Sequence, residues 1–231
     1  MTRMSRINTC ASWKRSLPRP WPKRQEGNIL SAVLRQAWDH GALRILVSGR
    51  QKAPIAATDA HVSVIAHITA DEVRRLLTET KAANGFGNRF LWGGVRRLKL
   101  LPRGGMCPEQ ALKPLVETLA PTILHARTVA QTQRTQAAKT RWEEIYAALA
   151  EGQPGLLGAI TARAEAQVLR LSCLYALLDK TDTVDVSHLD AAYALWRYCD
   201  ASSRYIFGTT LGDPLANAIC RMLRQMASVS S

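Results

Sequence analysis

With 231 residues and 47% hydrophobic content, the chain can bury a core as one medium domain or a domain with a helical subdomain. No run approaches the ~20 apolar residues of a membrane span, and the basic N-terminus lacks the apolar stretch of a secretory signal. The formal charge of +13 suits a polyanionic partner, but residues 1–24 carry seven basic side chains and no acid, so over half of the excess lies there.

Residues 1–24 have no apolar period and hold three prolines within five positions, which excludes a regular helix or a central strand. A disordered basic leader is expected. It could serve as a nucleic-acid arm, with Trp13 and Trp21 among arginines, or be non-native coding that replaces lost upstream sequence. From Gln25 the pattern becomes periodic. Ile29, Val33, Leu34, Ala37 and Trp38 predict a helix, capped by Asn28 or Ser31 and ending near Asp39-His40-Gly41. A strand follows over Leu43–Val47, then a turn over Gly49–Pro54.

Within His61–Thr69, Val62–Ile68 is apolar on both faces apart from Ser63 and His67, the pattern of a strand buried in a parallel sheet. Asp71–Thr80 predicts a helix with an acidic first turn, and Arg89–Val95 a further strand after the Asn84–Asn88 turn. Beyond Pro108 the expectation is helical: 108–119, 121–150 with a possible break, 158–179, 187–206 and 213–226. Thr181–Val186 reads as a short turn or strand, with Ser187 as N-cap.

Chemistry concentrates in few residues. His67 stands where a predicted strand ends, the edge at which open parallel sheets bind ligands. It could sense a γ-phosphate or position a water; alternatively it is satisfied by a backbone carbonyl. Arg89 follows Gly85 and Gly87, which permit positive φ. It could reach a neighbouring subunit's phosphate as a finger, or form an ordinary salt bridge. Arg163, Gln167 and Arg170 share one helical face at i, i+4 and i+7. Two arginines there repel unless a phosphate intervenes or an acid such as Glu165 or Asp179 pairs with them. Arg96, Arg97, Lys99 and Arg103 form a basic run suited to nucleic-acid phosphates. His188 is expected to pack beside the preceding loop, and Trp92, Trp142 and Trp196 to be core aromatics. The five cysteines (Cys10, Cys107, Cys173, Cys199 and Cys220) are scattered, so a disulfide framework is not expected and a reducing cytoplasm fits. No metal-ligand cluster is apparent, nor is a G-x-S-x-G elbow or a G-x-x-x-x-G-K-[ST] loop.

As a set, residues 26–39, 61–69, 84–92, 95–97, 142–146, 154–158, 161–179, 188–198 and 203–208 resemble a RecA-like, helicase-type ATPase domain. That domain accompanies primase–polymerase modules in plasmid, phage and mobile-element replication proteins. The resemblance spans roughly residues 25–225. Residues 161–171 with the His188 helix also look like the helical lid of minichromosome-maintenance-type helicases, in which an arginine at the Arg163 position contacts nucleotide. The implied fold is α/β: a partial RecA-like parallel sheet flanked by helices over residues 25–105, then an all-helical lid over 106–231.

Implied roles are γ-phosphate sensor for His67, arginine finger for Arg89 and lid sensor for Arg163. ATP and magnesium serve the intact family, with no cofactor for this chain alone. Walker A and Walker B elements expected upstream of Glu26, and a winged-helix tail expected downstream, are missing. The expectation is therefore a fragment of a DNA-replication ATPase that does not hydrolyse ATP alone. Its partners would be DNA, bound weakly, and a homo-oligomeric ring or a P-loop ATPase, with no membrane. The alternatives are a non-catalytic basic nucleic-acid-binding protein and an arginine-donating partner of a separate P-loop ATPase.

Overall fold

A computed structural model describes residues 30–45, 55–77, 84–105 and 108–208, together with 218, 219 and 222. The described chain is α/β and mostly helical, with two small two-stranded sheets. The leader 1–24 and most of the predicted 213–226 helix lie outside these residues.

Helix α1 (Leu30–Asp39) carries the expected apolar face. It stops at Gly41, whose φ of +65° lets both the His40 and Gly41 amides bond back to the Gln36 carbonyl. Strand β1 (Leu43–Ile45) then pairs antiparallel with β2 (Ile55–Ala57). Helix α2 (Ala70–Leu76) is capped by Thr69, whose hydroxyl accepts from the Glu72 amide, and its first turn is acidic as expected. It ends by Leu77, short of the predicted Thr80.

Two expected strands differ. His61–Thr69 runs without ladder partners among the described residues, and Val62, Val64, Ile65 and Ile68 are exposed, Ile65 by 92%. Apolar residues on both faces require neighbouring strands and a cover on each side, and the only described strands nearby form the β1–β2 hairpin. Arg89 lies in a 3₁₀ turn (Gly87–Arg89) rather than at the head of a strand. Trp92–Gly94 pack on helix α7 (Val186–Phe207) instead of joining a ladder. There Trp92 packs edge-on to Phe207 and the Tyr198 hydroxyl donates to the Gly94 carbonyl.

Helix α3 (Glu109–Ala126) runs through Pro114 and Pro121, where a break near residue 120 is predicted. Nearly the whole helix is exposed, so water can satisfy the carbonyls that the prolines leave without an amide. Strands β3 (Gln133–Arg134) and β4 (Thr183–Val184) pair in parallel and align the starts of α4 (Gln136–Ala150) and α7. Thr135 caps α4 through the Ala138 amide and donates to Asp185, the N-cap of α7. Asp185 thus takes the role expected of Ser187.

The predicted 158–179 helix is two: α5 (Gly155–Thr161) and α6 (Ala164–Leu178), with Arg163 at the N-cap of the second. One core cluster joins Val73, Leu77, Leu156, Ile160, Ile206 and Phe207; a second joins Ile145, Leu149, Ala164, Val168, Leu189 and Ala192. Trp92 packs on the first and Trp142 and Trp196 on the second, all partly buried, as core aromatics should be. Among the described residues no helix is long and apolar enough to cross a membrane.

Candidate phosphate site formed by three arginines

Three elements converge at the C-terminal end of α1. The first is the Asn84–Arg89 turn. Gly85 adopts φ +77°, so its carbonyl accepts from the Arg89 guanidinium, and the Asn84 side chain accepts from the Phe86 amide. Gly87 packs against Ile160, and its carbonyl accepts from the Trp92 indole at 3.0 Å. Arg35 of α1 donates to the Asn84 carbonyl at 2.9 Å. Arg89 is therefore held by backbone on one side and aromatics on the other, and its side chain is only 8% exposed.

The second element is the end of α1. One Arg89 guanidinium nitrogen donates to both carboxylate oxygens of Asp39, at 2.8 and 3.1 Å. The third is the start of α6. Although Arg163 is an N-cap, its carbonyl takes the first intrahelical bond from Gln167, so the i, i+4, i+7 face survives. All three side chains of that face point at the same place. The Arg163 guanidinium lies 3.8 Å from Asp39, Gln167 donates to the Asn88 carbonyl at 3.3 Å, and Arg170 donates to the Trp38 carbonyl at 2.9 Å.

Trp38 lies among the three cations. The guanidinium carbons of Arg170, Arg163 and Arg89 stand 3.4, 4.7 and 5.5 Å from its ring centre, within range of attraction to the π face. Three guanidinium groups gather around Trp38 and one carboxylate, which pairs with two of them, an excess of two positive charges within the cluster. Partial burial lowers the Arg170 pKa; Asp39 opposes that shift, and Arg163 and Arg89 add to it. Nε of Arg89 and Oδ1 of Asn88 are buried without a hydrogen-bond partner among the described residues. Planar guanidinium forks match the oxygens of phosphate, so the cluster is chemically suited to a multiply charged oxyanion.

Of the residues singled out from sequence, Arg89 and Arg163 thus come together, and Arg170 and Gln167 join them. The acid that answers Arg163 is Asp39, not Glu165 or Asp179; Asp179 instead accepts from His188 at 3.0 Å. Asp39 and Trp38 carry a signal that sequence reasoning passed over. A carboxylate in the last turn of a helix faces the negative end of its dipole and calls for a cation. His67 is exposed in the extended segment and makes no hydrogen bond or ion pair among the described residues, although Val62 and Val64 of that segment line a cleft with Trp38 and Arg89. Arg96, Arg97, Lys99 and Arg103 are exposed and likewise without ion pairs among the described residues. Those residues also hold no cluster of three or more metal-ligating side chains. No family model, curated protein or solved structure matches the chain.

Proposed function

We propose that this chain is part of a RecA-like, helicase-type ATPase of DNA replication, supplying arginines to the phosphates of a nucleotide that it does not itself hydrolyse. One observation carries this conclusion: Arg89 and Arg163, far apart in sequence, converge on the Asp39 carboxylate, and Arg170 stacks beside them on Trp38, so positive charge is in excess within the cluster. Such a field stabilises charge on a transferring phosphoryl group, the role of arginine fingers and sensors. The exposed apolar faces of His61–Thr69 and of the Val95–Leu101 stretch suit a sheet lobe whose neighbouring strands are contributed elsewhere. The sequence has no glycine-rich Walker loop, so backbone amides and a lysine for gripping a triphosphate would come from another segment or polypeptide.

Measured ATP hydrolysis, with and without single-stranded DNA, tests this directly. No turnover is expected in either case. DNA-stimulated hydrolysis that disappears in His67→Ala would overturn the proposal and make His67 a working part of a complete site.

A second function is favoured by the cations Arg96, Arg97, Lys99 and Arg103, which have no ion pair among the described residues and are interleaved with exposed Val95, Leu98, Leu100 and Leu101. They suit weak, sequence-independent contact with nucleic-acid phosphates, whose affinity falls steeply with salt. Binding that is unchanged between low and moderate salt would remove this function.

A further inference from the structure

The carboxylate at the centre of the cluster is an occupant as well as a support. Asp39 bridges Arg89 and Arg163, yet its side chain is 39% exposed and sits where the α1 dipole disfavours negative charge. Among the described residues only those two arginines hold it. Arg170 has no acid at ion-pair distance among the described residues; stacking on Trp38 and its bond to the Trp38 carbonyl keep it in place. Arg89 Nε is buried and has no hydrogen-bond partner among the described residues. The positively charged groups therefore also have backbone and ring contacts, while among the described residues the Asp39 carboxylate is held by Arg89 and Arg163.

We propose that Asp39 is an internal counter-ion that a phosphate displaces. Oxygens of a terminal phosphate would take the positions of the Asp39 oxygens between Arg89 and Arg163, with Arg170 supplying the third cation. A terminal phosphate carries more charge and more acceptor oxygens than a carboxylate, which favours the exchange. No covalent bond changes: the carboxylate turns to water, and α1 keeps only the Arg35 bond to the Asn84 carbonyl as a hydrogen-bond tether to the Asn84–Arg89 turn among the described residues. This rests on the functional proposal only for the ligand class, a polyphosphate.

The test is calorimetric titration of inorganic tripolyphosphate into wild type and Asp39→Asn at low ionic strength. Removing the competing charge should tighten binding by about tenfold or more, and adding Arg163→Gln should abolish the gain. Equal or weaker affinity in a normally folded Asp39→Asn overturns the proposal. If that variant is not folded, hydrogen exchange of the wild type decides. Saturating tripolyphosphate should speed exchange of the His40 and Gly41 amides, which bond to Gln36; unchanged exchange overturns it. Replacing tripolyphosphate by ATP separates the two proposals. A gain for tripolyphosphate without any for ATP supports displacement of Asp39 and removes the nucleotide function.

Discussion

Arg89 and Asp39 lie on separate elements, and a single guanidinium nitrogen of the arginine spans both oxygens of the acid, at 2.8 and 3.1 Å. The arginine is almost fully buried and the acid is not. A half-buried pair is screened less than a surface ion pair and desolvated less than a dry one. A double-mutant cycle with Arg89→Ala and Asp39→Ala, read by urea unfolding, should give a coupling of about 1–2 kcal/mol. Strictly additive effects would mean that the contact does not hold α1 to the turn.

His188 closes the start of α7. Its Nδ1 accepts from the Asp185 amide at 3.0 Å, which puts the ring proton on Nε2, facing Asp179 at 3.0 Å. His188→Ala removes both bonds at a largely buried position and should cost about 1–2 kcal/mol. His188→Gln should recover part of this, because a glutamine at that position can accept from the same amide. Equal unfolding midpoints for His188→Ala and wild type would contradict this assignment.

Asp185 gives the fold an acid-sensitive contact. Bonding from the Val186 backbone amide, then from the Thr135 hydroxyl, holds its carboxyl below the ordinary value; burial opposes this weakly, and His188 adds a smaller lowering. The unfolded carboxyl titrates near its usual value of about 4. The folded state is therefore favoured fully above that pH, and the advantage is lost as pH falls through the lower folded value. Urea midpoints measured from neutral pH into the acid range should decline less steeply in Asp185→Asn than in wild type. Parallel declines would show that this carboxylate is not linked to folding.

Cys199 is buried on α7, and burial raises its thiol pKa, which leaves little thiolate at neutral pH. Iodoacetamide labelling followed by peptide mapping should modify Cys199 more slowly in folded protein than after denaturation with urea. Equal rates in the two states would contradict its burial.

Periodicity made part of this site legible. The spacing of Arg163, Gln167 and Arg170 predicts a shared face, and the face holds even though the helix begins only at Ala164, because the Arg163 carbonyl already receives the first helical bond. Spacing does not say what stands opposite a face, so Glu165 and Asp179 are the nearest sequence candidates for a partner, and the real one, Asp39, comes from α1. The glycines around Arg89 signal a special turn but not its 3₁₀ geometry, in which the Gly87 carbonyl also accepts from the Trp92 indole. His61–Thr69 shows the converse limit. Its apolar pattern records a demand for cover on both faces, and a pattern cannot name the cover.

Calorimetry with ATP, in the presence and absence of magnesium, tests most directly the proposal that the three arginines meet a triphosphate without gripping it. Weak, salt-sensitive heat of binding that is independent of magnesium and lost in the Arg89→Ala/Arg163→Ala protein is predicted. Tight affinity that needs magnesium, or binding that survives loss of both arginines, would contradict the account.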